Sequence, residues 1–75
     1  MSPEDIAKDL QTQPFHPFRI YLSDGTGFNI THPDLVLVSK SALDIGEPSK
    51  PGSKVMERIV RCALPHVVKL DPQLS

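Results

Sequence analysis

The spacing of apolar positions changes along the chain, and each spacing predicts a different element. Ser2 and Pro3 have the residue types of a helix N-terminus, and Ile6 and Leu10 lie one helical turn apart. A proline then follows, and the residue before a proline disfavours helical geometry. The sequence therefore predicts a short N-terminal helix within residues 1–13.

After the helix the pattern alternates between apolar and polar residues, which indicates two half-buried strands separated by an Asp-Gly turn. A three-residue loop over positions 24–26 would pair Leu22 with Phe28 and Ile20 with Ile30. A two-residue loop would instead place apolar residues opposite polar ones. Because register decides which face is buried, we predict the three-residue loop.

The second half of the chain contains shorter apolar runs. A strand at residues 42–45 and a final strand at residues 67–70 are predicted from their composition. Two prolines, two glycines and two serines between positions 46 and 53 predict a mobile loop, and residues 71–75 a frayed tail. Four consecutive apolar residues predict a strand covered on both faces: Leu35, Val36, Leu37 and Val38.

The segment from residue 53 to residue 64 supports two interpretations. Val55, Ile59 and Ala63 fall on one face of a helix, with basic and acidic residues opposite. As a strand, the same segment separates apolar from polar residues poorly. Periodicity alone therefore favours a second helix at about 53–64, which would make the domain α+β.

Several short motifs carry a resemblance to known proteins: Gln13-Pro14-Phe15-x-Pro17-Phe18, Asp24-Gly25 and His32-Pro33-Asp34. Together they resemble a group of short bacterial proteins of unknown function. More distantly, the layout is similar to the Sm/Hfq-like small β-barrels, in which a one-turn helix precedes the last strand. The resemblance implies a strand at 56–64 and a mainly β domain, with the N-terminal helix followed by an SH3/Sm-like barrel over residues 18–70.

Size and composition narrow the class of protein. The 75 residues provide for a single small domain over positions 1–75, and its 39% apolar residues are typical of a globular chain. One cysteine excludes an internal disulfide, and no apolar run approaches the roughly 18 residues of a membrane span. We therefore expect a cytoplasmic protein.

Residue types that carry chemistry are present, but they are not arranged in known motifs. His16, His32 and His66 lack the spacing of a local metal site, and Cys62 fits a small buried apolar residue. Catalytic and nucleotide-binding motifs are missing. The sequence therefore predicts a protein that is not an enzyme, with no catalytic residue, cofactor or metal ligand.

Two surfaces are candidates for binding. The doubly apolar run from position 35 to position 38 requires cover on its second face, either from the protein's own helix or from a partner. A non-enzymatic interaction module, as a homo-oligomer or an accessory subunit of a larger assembly, is the leading hypothesis.

The alternative is a small barrel that binds single-stranded nucleic acid. The net charge of −1 excludes a uniformly basic surface, but a local basic surface is compatible with it. Together with Tyr21 and Phe28, such a surface would suit a single strand. Its candidate residues are Arg19, Lys50, Lys54, Arg58 and Arg61.

Overall fold

The structure, a computed structural model, describes residues 1–72. In this part of the chain it contains one α-helix and six β-strands, with 3-10 turns at Pro33–Leu35 and Leu64–His66. The mainly β fold with one short N-terminal helix is as predicted. The elements are α1 Pro3–Gln11, β1 Phe18–Leu22, β2 Gly27–Ile30, β3 Val36–Val38, β4 Ala42–Pro48, β5 Met56–Ala63 and β6 Val67–Asp71.

The strands form two antiparallel three-stranded sheets. The first sheet has the order β2-β1-β6 and the second the order β3-β4-β5. Over residues 1–72 no strand pairing joins the two sheets, so the strands do not form a closed barrel. The break between β2 and β3 coincides with the 3-10 turn Pro33–Leu35, where proline has no backbone N–H to donate to a strand ladder.

The first hairpin keeps the predicted buried face but has a different register. Ile20 pairs with Phe28, and the amide of Leu22 donates to the carbonyl of Thr26, so the loop is residues 23–25. Gly25 has a φ of 90°, the left-handed conformation that the last residue of such a loop requires. The register differs from the prediction by two residues, and a shift of two leaves every side chain on its predicted face.

Residues 56–63 form a strand, so the alternative of a second helix at about 53–64 is wrong. β5 pairs with β4 along nearly its whole length, from Met56 opposite Pro48 to Ala63 opposite Ala42. Cys62 is buried and Val60 is half-buried, whereas Ile59 is exposed. Backbone pairing with β4 therefore decides the conformation against the helical spacing.

Two predicted boundaries also change. β4 continues to Pro48, so residues 46–48 of the predicted loop belong to a strand, and a bulge between Glu47 and Pro48 accommodates the proline. β6 reaches Asp71, which pairs with Arg19, so the predicted tail begins inside a strand. The rest of that tail, residues 73–75, lies outside the described residues.

A single hydrophobic core lies between the sheets and under the helix. Ile20 and Ile30 from the first sheet and Leu43 and Ile45 from the second are at most 1% exposed. Ile6 is the buried residue of α1, and the helix packs against β3. The inner face of each sheet is thus buried in this core.

Candidate functional site

The structure divides the predicted interface at residues 35–38 between core and surface. Leu35 and Val36 are buried in the core, and Val38 is half-buried against it. Leu37 alone of the four projects outward, with 71% of its surface exposed. The interface prediction is therefore corrected to Leu37, because β3 has an inner face that the protein covers by itself.

Leu37 belongs to a larger exposed face on the second sheet. It pairs with Asp44, which in turn pairs with Arg61, so the three side chains form one row across β3, β4 and β5. Ile59 lies two residues from Arg61 on the same face and is 68% exposed. We call this face, defined by Leu37, Asp44, Ile59 and Arg61, the outer face of the second sheet.

An ion pair crosses the middle of this outer face. Arg61 donates from Nε to Oδ1 of Asp44 at 2.8 Å and from Nη2 to Oδ2 at 3.1 Å. These hydrogen bonds lower the pKa of Asp44 below its ordinary value and raise the pKa of Arg61. The pair is bidentate, so it fixes the position of the guanidinium group beside Ile59.

β5 is also the free edge of the second sheet. Within residues 1–72 its strand partner is β4 alone, so the backbone groups along its other side have no strand partner. At eight residues it is the longest of the edge strands β2, β3, β5 and β6. A long exposed edge is a ready template for pairing with another chain.

The predicted basic surface is not a single patch. Arg58 and Arg61 are three residues apart on β5, so they lie on opposite faces, and Arg58 forms an ion pair with Glu47. Lys50 and Lys54 lie in the β4–β5 connection, and Arg19 lies on the first sheet. Phe28, expected to contribute an exposed ring, is buried in the core.

A smaller cationic cluster lies on the outer face of the first sheet; Arg19 and Tyr21 belong to the predicted surface, whereas Lys69 does not. Arg19 lies over the ring of Tyr21, 5.3 Å from its centroid, and the Nζ atom of Lys69 lies 4.9 Å from the same centroid. Arg19 also donates to the side chain of Asn29 on β2. Pairing of β1 with β6 brings Lys69 beside Tyr21, which a linear pattern cannot reveal.

Ser23, Asp24 and His66 come together at the first hairpin. The Oγ atom of Ser23 is 3.4 Å from Nδ1 of His66. Asp24 accepts from the backbone amide of Thr26 at 2.9 Å, and hydrogen bonds from Thr26 lower the pKa of Asp24. The carboxylate thus stabilises the turn.

Cys62 is buried, and its pKa is raised, first by burial and then by the nearby carboxylates of Asp24 and Asp44. Over residues 1–72, no three His, Cys, Asp or Glu side chains are grouped as a metal ion requires. In the same residues α1 is too short and too polar to cross a membrane.

In comparisons with protein-family models, curated proteins and solved structures, nothing matches this chain.

Proposed function

We propose that this protein is a non-enzymatic protein-interaction module that binds its partner through the outer face and free edge of the second sheet. The observation that carries the proposal is the exposure of large aliphatic side chains there. Leu37, Val55 and Ile59 are the most exposed large hydrophobic residues of the described chain, at 68–71%. Leu37 and Ile59 share the outer face, and Val55 directly precedes β5.

Grouped aliphatic exposure distinguishes this face from an ordinary surface. Single exposed hydrophobic residues are common and carry no functional meaning, whereas grouped ones beside a polar pair are typical of interaction sites. The Asp44–Arg61 pair supplies a fixed polar group between Leu37 and Ile59. The outer face therefore combines apolar contact area with a charge pattern that can orient a partner.

Site-specific photocrosslinking tests the proposal. A photoreactive amino acid placed at position 59 should give a crosslinked species of defined mass in cells that express the protein. The control carries the same group at Val68, which is 55% exposed on β6 of the first sheet. Equal crosslinking from both positions, or none from position 59, would contradict the proposal.

The SH3/Sm-like interpretation of the fold also belongs to this proposal. β2 and β3 are separated by residues 31–35 alone, so they can be described as one bent strand interrupted by a 3-10 turn. The strand order then becomes β6, β1, bent β2/β3, β4 and β5. A second 3-10 turn, Leu64–His66, precedes the last strand, which supports an open barrel of the Sm/Hfq-like type.

Binding of single-stranded nucleic acid is the second candidate function, and the Tyr21 cluster favours it. An aromatic ring flanked by Arg19 and Lys69 offers both a stacking surface and charges for phosphates. Fluorescence anisotropy with a mixed-sequence oligonucleotide should show binding at low salt that weakens steeply as salt is added. Tyr21→Ala should weaken it further, whereas Lys54→Ala, in the β4–β5 connection, should change it little.

A further inference from the structure

We propose that the free edge of β2, together with the cavity beside it, binds an extended peptide in which an acidic residue is next to an aliphatic one. The peptide would add a fourth strand to the first sheet. This site goes beyond the proposed function, which uses the second sheet. It rests on the direction of the β2 backbone, on the cavity against that edge and on an arginine that has no carboxylate partner.

The backbone of β2 directs hydrogen-bonding groups away from the rest of its sheet. Within residues 1–72 its strand partner is β1 alone, and the register between the two strands is regular. The amide of Leu22 donates to the carbonyl of Thr26, so these two residues form a hydrogen-bonded pair. Direction alternates along an antiparallel strand, so the N–H and C=O groups of Gly27 and Asn29 are directed to the free edge. A further strand would pair with these groups.

A cavity of about 280 Å³ lies between β2 and the end of β4. Residues 27–29 of β2 line one side of it, residues 45–48 of β4 line the other side, and Arg19 also lines it. Its volume is close to the lower end of the range for ligand-binding cavities, about 300–1,000 Å³. The edge of β2 is therefore accessible at a place where no strand pairing joins the two sheets in residues 1–72.

The side chains around the cavity differ between its inner and outer sides. Side chains of an added strand would share the faces of their neighbours in β2, because direction alternates along every strand. A residue opposite Phe28 would be directed inward, where Phe28 and Ile45 line the cavity, so an aliphatic side chain fits there. The residue before or after it would lie opposite Gly27, on the outer face.

The outer face supplies a cation at this same edge. Within residues 1–72, Arg58 and Arg61 form ion pairs with carboxylates, whereas Arg19, the third arginine, forms none. A Cβ atom added at Gly27 would lie 2.5 Å from Nε and 2.6 Å from Nη2 of Arg19, so the guanidinium group lies over Gly27. Asn29 accepts one of the five N–H donors of this group and orients it.

A carboxylate opposite Gly27 would complete this arrangement. It would lie beside the guanidinium group of Arg19, and hydrogen bonds between two charged groups are roughly twice as strong as those between neutral ones. Glu47 also lines the cavity, but its charge is already compensated by Arg58. The site therefore selects an acidic residue with an aliphatic neighbour in the sequence of the peptide.

Selection from a displayed library of random peptides of about ten residues, on the native chain, supplies a probe. The selected peptides should contain Asp or Glu next to an aliphatic residue, and absence of this pattern would overturn the proposal. In fluorescence anisotropy with one selected peptide, Arg19→Gln should raise the Kd by about tenfold or more. The matched control, Lys69→Gln, removes a cation from the same face at the opposite edge, on β6, and should leave the Kd nearly unchanged.

Gly27→Ala tests the position of the guanidinium group separately from its charge. The added Cβ atom displaces the end of the Arg19 side chain, while every charge of the protein is kept. Affinity for the selected peptide should therefore fall about as far as it does for Arg19→Gln. Circular dichroism checks that each variant folds. Native affinity in a folded Gly27→Ala variant would overturn the role given to Arg19.

Amide hydrogen exchange tests the addition of a strand. In the free chain the amide of Phe28 is bonded to β1, whereas the amides of Gly27 and Asn29 face the free edge. Saturating peptide stabilises the whole fold, and exchange at Phe28 reports this general effect. Exchange at Gly27 and Asn29 should slow by about tenfold more than at Phe28, since they gain new hydrogen bonds. Binding without this selective slowing would overturn strand addition.

A single strand of nucleic acid also carries anions for Arg19, but its backbone lacks the alternating N–H and C=O groups that pair with a strand edge. If a mixed-sequence oligonucleotide binds and no library peptide does, the peptide site is wrong and the second candidate function stands. The photocrosslinking experiment at position 59 reports on the second sheet. Its result therefore distinguishes failure of the proposed function from failure of the site at β2.

Discussion

At the scale of single residues, the Asp44–Arg61 pair makes the free energy of unfolding depend on pH. Hydrogen bonds from Arg61 lower the pKa of Asp44 in the folded protein, so the folded state binds that proton less tightly than the unfolded state. The pair therefore stabilises the fold above the ordinary Asp pKa of 3.8, and this contribution is lost as the pH falls through the lowered folded value.

We therefore predict that Asp44→Asn lowers the free energy of unfolding at neutral pH, and that its difference from the native protein disappears in acid. Urea denaturation of both proteins at a series of pH values measures this difference in the free energy of unfolding. Asp9→Asn, at an exposed position on α1, is the control for removing a carboxylate. If Asp44→Asn lowers the free energy of unfolding by the same amount at every pH, the ion pair is not the cause of that loss.

The sequence located the hairpin but not the residue that shapes its loop. Alternation identified Ile20 and Ile30 as buried, and it placed the turn at Asp24-Gly25. Gly25 takes the left-handed conformation. The strand register, in which the amide of Leu22 donates to the carbonyl of Thr26, places Gly25 at the last position of the loop, and a hydrophobic pattern does not distinguish this register from the predicted one.

At the scale of elements, α1 is held by one buried side chain. Ile6 is fully buried, whereas Leu10 only packs at the margin of the core. A helix of nine residues is too short to be stable alone, so its stability must come from this contact. We predict that Ile6→Ala lowers the free energy of unfolding by about 2–5 kcal/mol, since it removes a large core side chain.

Chemical denaturation measures this change, and Ile6→Val, with a smaller expected loss of about 0.5–1.5 kcal/mol, serves if the alanine variant does not fold. Leu10→Ala is the control on the same helix and should cost less than Ile6→Ala. Equal losses for the two alanine variants would show that the helix is not anchored at Ile6.

β5 shows why an element can be misassigned from periodicity. Val55 and Ile59 create the helical spacing, and both are exposed, Val55 just before the strand at 69% and Ile59 within it at 68%. Their apolar character therefore does not come from packing in the core of one chain. A hydrophobic pattern cannot distinguish an apolar residue that faces a partner, as proposed for Ile59, from one that packs in the core.

At the scale of the whole molecule, the two sheets depend on each other although no strand pairing joins them in residues 1–72. Each sheet has three strands, and its inner face is covered by the other sheet. Ile20 from the first sheet and Ile45 from the second belong to the same buried cluster. A domain of this size has a thin stability margin, so loss of either sheet exposes enough apolar surface to unfold the other.

Tyr21 makes this dependence measurable. It is the only tyrosine in a chain without tryptophan, so its fluorescence reports on the first sheet, while far-ultraviolet circular dichroism reports on all strands. Ile45→Val, in the second sheet, should lower stability by about 0.5–1.5 kcal/mol. We predict that it shifts the urea midpoints of both signals equally.

A circular dichroism midpoint that moves while the Tyr21 midpoint stays would mean that the sheets unfold independently. Equal shifts would establish that contact at the second sheet stabilises the first, so a partner bound along β5 would protect the Tyr21 face as well.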